Sequence, residues 1–259
     1  MITSVRSLLA ATALAGAFAA APAMADEAPK SDVTITGSVA LVTDYRFRGV
    51  SQSGGDPAIQ GSINVNHSSG LYAGFWSSSI SGGPVYGSQE LDLYAGYTRE
   101  VLPGLTADAG LLYYAYPSGH VGRAEFFEPY VSVSTTYGPA KVKLGFNYAW
   151  DQKAIANPAG NKDDNLYGYA NLDVAVPSTP LTVSGHVGYQ DGSLSGPAAA
   201  NAALGTAVPY KRHGFDYSVG ASATVLGKVT LGVSYVGVEG PVVNRLTDDQ
   251  VVGTLSVAF

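Results

Sequence analysis

Residues 140–150, "AKVKLGFNYAW", constrain the fold more than any other feature of this chain. Ala140, Val142, Leu144, Phe146, Tyr148 and Trp150 share one parity, while Lys141, Lys143, Gly145, Asn147 and Ala149 share the other. Successive side chains of an extended strand point to opposite faces, so this segment has one apolar and one hydrophilic side. Wound as a helix, the same apolar residues would spread around the whole circumference. The alternation recurs at 33–47, 57–67, 89–99, 104–116, 125–137, 165–176, 181–189, 214–225, 228–237 and 250–259. A further segment, 71–80, has aromatics on both parities and completes a set of twelve. Segments of about ten residues exceed the five or six usual in soluble domains and match what a tilted strand needs to cross a bilayer.

The connections alternate in length. Short ones fall at 67–70, 99–104, 137–139, 177–180 and 226–228; long ones fall at 48–56, 81–88, 117–124, 151–164, 190–213 and 238–249. Each class therefore lies at one end of the strands, as in an outer-membrane barrel with tight periplasmic turns and longer external loops. The fold class that follows is all-β, a transmembrane up-and-down antiparallel β-barrel of about 12 strands, with both termini on the periplasmic side. A Greek-key sandwich would not separate its loops by length in this way.

The first residues stand apart. One basic residue, Arg6, precedes an Ala/Leu run, and Ala23-Met24-Ala25 has the small-x-small form of a cleavage site. Residues 1–25 read as a secretory signal peptide, 26–32 as a short periplasmic segment and 33–259 as the barrel. Without Arg6 the 14 basic residues fall to 13 against 20 acidic ones, a net charge of −7, which argues against a nucleic-acid partner. There is no cysteine, so thiolate chemistry and Cys-ligated metals are excluded. After the leader no apolar run is long enough for a membrane helix, and a chain that spans the membrane must do so with strands.

In a membrane barrel the apolar parity touches lipid and the polar parity lines the lumen. The pore-lining and selectivity candidates are Asp44, Arg46, Arg48, Gln60, Glu90, Asp92, Asp108, Glu128, Lys141, Lys143, Asp173 and Asp216. Arg46 and Arg48 lie in "TDYRFRGVSQSGGDP", where either they form a polar filter at the external mouth or they pair with carboxylates of neighbouring strands. The balance of the set is mildly acidic, and a focused acidic lumen favours cations. Tyr45 and Phe47 are expected in an external aromatic girdle with Tyr113, Tyr148, Trp150, Tyr189 and Tyr235; Tyr97, Tyr137 and Phe259 are expected in the periplasmic one. In loop 190–213, Pro197 opens an Ala-rich run that suits one or two helical turns, in a mobile external loop or folded inward as a constriction.

The runs "TDYRFRGVSQSGGDPAIQGSINV", "GLYAGFWSS", "ELDLYAGYT", "YYAYP" and "FFEPYVSVS" resemble the TorF-type porin family, proteobacterial exported β-barrels without a settled function. The resemblance is strongest from Asp44 to about Tyr130. It implies an outer-membrane channel and supplies no catalytic or binding residues.

Enzymatic motifs are missing: there is no G-x-S-x-G elbow and no H-E-x-x-H, and His67, His120, His186 and His213 lack metal-ligand spacing. The acidic loops "NKDDN" and "TDDQ" lack EF-hand spacing and read as solvated. No cofactor, metal or catalytic residue is expected. The partners expected are outer-membrane lipid and small polar solutes, and the function expected is passive diffusion through the barrel of a Gram-negative outer membrane. The alternative is a plugged barrel with a structural, adhesive or surface-binding role carried by its loops. The sequence leaves the oligomeric state open.

Overall fold

The alternating segments form strands that pair with their chain neighbours until the last meets the first. The computed structural model describes residues 31–156, 161–204 and 212–259; the leader expected at 1–25 lies outside them. The elements are β1 (Val33–Val42), β2 (Arg46–Phe47), β3 (Val50–Ser51), β4 (Ala58–His67), β5 (Leu71–Ser79), α1 (Gly83–Tyr86), β6 (Gln89–Leu102), β7 (Leu105–Ala115), β8 (Phe126–Tyr137), β9 (Ala140–Ala149), β10 (Asn165–Ala175), β11 (Leu181–Gly192), α2 (Gly196–Leu204), β12 (His213–Val225), β13 (Val229–Val238) and β14 (Gln250–Ala258). Twelve of these strands, all but β2 and β3, make a closed antiparallel barrel. β1 closes it, pairing with β4 from Val33↔His67 to Val42↔Ala58 and with β14 from Ser38↔Ala258 to Val42↔Thr254. Closure leaves no strand edge, which hydrocarbon would penalise by several kcal/mol for each unpaired backbone group.

The parity rule holds around the wall. On β9, Leu144, Phe146 and Tyr148 are exposed, while Asn147 and Ala149 are buried. The outward belt includes Ile35, Leu41, Ile63, Leu93, Val131, Leu172, Val219, Val233 and Leu255, all exposed on the isolated chain. Tyr148, Trp150, Tyr189 and Tyr235 ring the long-loop end, and Tyr97, Tyr137 and Phe259 ring the short-turn end, as the girdle assignment expected.

Inward glycines have a specific use on β6, β7, β9 and β11. Tyr72 lies over Gly96, Tyr130 over Gly110, Tyr169 over Gly145 and Tyr167 over Gly188, so that a β-carbon at any of these glycines would strike the ring. The rings thus lie flat along the wall instead of projecting into the lumen. Tyr72 Oη bonds Asp108 (2.6 Å) and Tyr130 Oη (2.5 Å), and Tyr94 Oη bonds Asn64 (2.5 Å), which holds the rings down.

One segment departs from expectation. The strand expected over 33–47 ends at Val42, and the chain turns away from the wall. Residues 44–53 fold into a small hairpin, β2–β3, that belongs to a separate two-stranded sheet. Tyr45 and Phe47 therefore do not face lipid. Tyr45 is 3% exposed, and Phe47 packs edge-on against the inward Tyr114 at 5.8 Å.

Candidate functional site

The hairpin is built around one carboxylate. Asp44 accepts from Ser51 Oγ (2.6 Å), Ser53 Oγ (3.0 Å) and Arg46 Nε (2.6 Å), and Gln52 N–H donates to the Tyr45 carbonyl (2.7 Å). These local acceptors and donors replace the ladder that the segment would have found in the wall. The two-residue turn is Arg48-Gly49, with φ of 49° and 81°. Positive φ at both central positions is what a type I′ hairpin turn requires. Glycine meets it freely, whereas Arg48 carries the strain of a left-handed non-glycine residue.

The hairpin crosses the lumen. Tyr45 packs on Trp76 of β5 at 5.2 Å between ring centres and donates to Glu90 of β6 (3.2 Å). Arg48 reaches Glu128 of β8, its Nη2 lying 2.8 and 2.7 Å from the two carboxylate oxygens. Gly49 sits against Val238 of β13 and Asp216 of β12. The guanidinium lies between two rings, 4.5 Å from the Phe47 centroid and 4.1 Å from that of Tyr167 on β10. Glu128 is fully buried and also accepts from Tyr114 Oη (3.0 Å) and Asn147 Nδ2 (3.0 Å). On β6, Asp92 is fully buried with neither carboxylate oxygen hydrogen-bonded, and Arg48 Nε and Nη1 are likewise unpaired. Arg46 turns to the opposite side, donating to the carbonyls of Gly49 (3.0 Å) and Asp248 (2.5 Å). Both arginines are thus ion-paired, Arg48 with Glu128 of a barrel strand and Arg46 with Asp44 of its own hairpin and Asp248 of a loop.

The other candidates lie on the inner wall at different depths. Glu90 and Asp92 on β6, Glu128 on β8 and Asp216 on β12 occupy the long-loop half beside the hairpin, as does Gln60 on β4, half-buried near Ser78. Asp108 sits near mid-depth with the tyrosines, and Lys141, Lys143 and Asp173 lie nearer the short turns. Asp173 accepts from Ser184 Oγ (2.7 Å), and Lys143 lies 6.0 Å from the Tyr169 ring. Asp44 alone of the carboxylates lies on the hairpin rather than on a barrel strand. Of the twelve candidates, seven are carboxylates and four are cations, a difference of three negative charges.

Two unlike walls result. From β5 to β10 the inner face is aromatic and tightly packed. From β11 through β14 it carries Ser184, Ser218, Ser222, Thr224, Gly232, Ser234 and Thr254, all partly solvent-exposed. The sequence pattern gave those small residues inward parity, but nothing in it told that they gather on one side. His186 bridges the two walls, bonding Asp216 (2.8 Å), Tyr167 Oη (2.9 Å) and Asn171 (2.5 Å).

The loops narrow the mouth further. α2 is longer than the one or two turns expected, and it folds inward: Pro197 packs on the inward side of Gly214, and Gly196 meets Val238. Arg212 fastens the neighbouring loops, pairing with Asp163, with Asp164 (2.6 Å) and with Asp191 (3.1 Å). That contact, seconded by Tyr148 Oη (3.1 Å), holds the Asp164 carboxyl below its ordinary range against a smaller opposing effect of burial. Among the described residues no cluster of three or more His, Asp or Glu side chains could hold a metal ion.

Comparisons with known proteins agree with this architecture. The family described as "Bacterial protein of unknown function (Gcw_chp)" matches residues 26–258. No curated protein matches the chain in sequence. Among solved structures, the NanC porin superposes with a TM-score of 0.57 at 12% identity, over 87% of this chain and 99% of that one. The KdgM porin in complex with disordered oligogalacturonate gives 0.53 at 11% identity, over 87% and 98%. The COG4313 outer membrane channel from Pseudomonas putida F1 gives 0.52 at 14% identity, over 90% and 96%. At these identities the likeness is one of fold: a porin-like barrel.

Proposed function

The chain belongs to the Gcw_chp family of bacterial proteins of unknown function, and we propose that it is a narrow outer-membrane channel for passive diffusion of small polar solutes, with cations and neutral molecules preferred over anions. Export through the leader read at 1–25, insertion in a Gram-negative outer membrane and the kinship to TorF-type porins belong to the same reading. The observation that carries it is the asymmetry of the lumen. A half-exposed wall of serine, threonine and glycine runs along β11–β14 and offers hydroxyls that can replace part of a solute's hydration. The packed aromatic wall opposite narrows the remaining path.

The charge sign follows from the candidates themselves. Seven carboxylates against four cations leave a negative field, which low-dielectric walls focus along the axis. KdgM carries oligogalacturonate in its solved complex, a chain of carboxylates, and this lumen would repel such a polyanion. Single-channel recording of the refolded mature chain in planar bilayers tests the reading. Small steps with a reversal potential on the cation side are expected; ion-tight protein at all voltages, or anion preference, would refute it.

A second reading, a closed barrel acting through its external loops, draws support from the hairpin that spans the lumen from Trp76 and Glu90 to Val238. Replacing 44–53 by a short turn separates the two. If the wild type is silent and the shortened chain conducts, the barrel is plugged in its resting form.

A further inference from the structure

The best-formed polar site in the lumen is already filled, by a side chain of the protein itself. Both carboxylate oxygens of Glu128 accept from Arg48 Nη2, at 2.8 and 2.7 Å, and Tyr114 Oη and Asn147 Nδ2 also donate to Oε2. The ring of Tyr167 covers one face of the guanidinium at 4.1 Å and that of Phe47 lies 4.5 Å away. A carboxylate that holds one N–H group between its two oxygens, with π-faces over the cation, suits an ammonium or guanidinium group. We propose that this cage is a binding site for guanidinium and primary-ammonium solutes, which Arg48 fills in cis and for which an incoming solute competes.

Three observations set the cage apart from an ordinary internal ion pair. First, acceptor capacity beside the hairpin tip exceeds what Arg48 uses: Asp216, against Gly49, keeps Oδ2 without a hydrogen bond. Second, Arg48 fits incompletely, leaving Nε and Nη1 without partners. Third, its backbone is held at φ 49°, a conformation glycine would adopt without strain. A side chain kept at such a position, at the tip of a hairpin hung between Thr43 and the positive-φ pair Gly54-Gly55, is tethered to the site rather than part of its wall. Glu128, Tyr114, Asn147, Tyr167 and Asp216 belong to the barrel and stay in place when Arg48 leaves. The proposal deepens the channel reading by naming the solute class, and it rests on that reading for transport alone.

Chemical rescue tests it without requiring conduction. Arg48→Gly empties the cage and leaves a Gly-Gly turn that suits positive φ at both positions, so the hairpin keeps its local geometry. The full mature chain is refolded in detergent and its thermal unfolding followed with guanidinium chloride at about 10 mM, roughly tenfold above a millimolar dissociation constant, against sodium chloride at equal ionic strength. A rise in Tm of about 3 °C is expected for Arg48→Gly, with none for the wild type, whose cage is filled, and none for Arg48→Gly/Glu128→Gln. Failure of the single variant to respond, or an equal response in all three, overturns the proposal. Should Arg48→Gly not fold, the wild type carries the test. Guanidinium at about 0.1 M, above the millimolar effective concentration of a tethered group, then speeds hydrogen exchange at the Gln52 amide where potassium does not; equal rates in the two salts overturn it. Rescue of Arg48→Gly alongside an ion-tight wild type would sink the channel reading and leave the site standing.

Discussion

Replacing Glu128 by glutamine removes one charge at constant shape, and the geometry fixes how much this should cost. Glu128 receives two contacts from Arg48 and one each from Tyr114 and Asn147. The best accommodation puts the new amide nitrogen where Oε2 stood. Asn147 then flips, presenting its otherwise unpaired Oδ1, the Tyr114 hydroxyl rotates to accept, and Arg48 keeps one neutral acceptor. Breaking a buried ion pair costs about 3–5 kcal/mol, and one retained neutral hydrogen bond returns about 1 kcal/mol. The docked hairpin should therefore lose about 3 kcal/mol, or roughly 150-fold in its docking equilibrium. Hydrogen exchange reads this at two amides: Gln52 N–H, bonded to the Tyr45 carbonyl at 2.7 Å, and Ser51 N–H, bonded to Leu246 at 2.8 Å. Both should exchange about 100-fold faster in Glu128→Gln, while amides of the β12–β13 ladder keep their wild-type rates. Rates within about threefold of wild type would limit the contribution of the pair to under about 0.7 kcal/mol and refute the idea that it holds the hairpin across the lumen.

Three further perturbations address the wall, the rings and the loops. Leu144 faces outward at mid-strand between Val133 and Ala170, so Leu144→Arg should cost about 2–4 kcal/mol in urea titration of the refolded barrel, whereas Ser222→Arg on the partly exposed inner wall should leave the midpoint near wild type and shift ion preference toward anions. Gly145→Ala drives a methyl into the Tyr169 ring; it should destabilise by about 1–3 kcal/mol and lower unit conductance by pushing the ring off the wall, and unchanged conductance would mean that the rings do not bound the path. The Arg212 clasp depends on pH through Asp164, whose carboxyl is held low chiefly by the hydrogen bond from Arg212. A depressed carboxylate contributes above its unfolded value of about 3.9 and loses that contribution as pH falls through the folded one. Protection of the Gly192 amide, bonded to the Arg212 carbonyl at 2.8 Å, should stay level from neutral pH down to about 5 and fall below about 4, and Arg212→Ala should reproduce the loss at neutral pH.

Most of the barrel was legible because hydrocarbon enforces it residue by residue. Leu144, Phe146 and Tyr148 could not be turned inward without carrying Lys141 and Lys143 outward, so parity alone settled which face of β9 meets lipid. The same logic gave inward positions to Glu90, Asp92, Asp108, Glu128, Asp173 and Asp216. It could not tell that Tyr167 would cover a guanidinium or that Tyr114 would donate to the carboxylate it meets, because the partner arginine comes from the hairpin, far away in the chain. Nor could it separate inward glycines that receive a ring, such as Gly96 and Gly110, from the equally inward Gly232, whose neighbours are only Ser222, Thr254 and a carbonyl at ordinary contact distance. That distinction depends on the register of the adjacent strand.

The misplacement of Tyr45 and Phe47 has a more instructive cause. Alternation reports the two faces of an extended segment, and a hairpin inside the lumen has two faces as surely as a strand in the wall. "YRFR" satisfies the pattern in either location. What decides between them is the neighbouring chemistry. Thr43 is the last residue bonded to the wall, through its N–H to the Gly253 carbonyl; beyond it Asp44 finds Ser51, Ser53 and Arg46 within its own loop, and Arg48-Gly49 can turn the chain back in two residues. A wall strand that continued through 44–48 would have to place Asp44, Arg46 and Arg48 on one face with no opposite charge fixed by sequence beside them. Folding inward gives each a partner: Asp44 to Arg46 within the hairpin, and Arg48 to Glu128 eighty residues away. The hairpin is thus the state in which these charges meet countercharges, and this is why the arginines that suggest a mouth filter in the sequence are ion-paired inside the barrel in the structure.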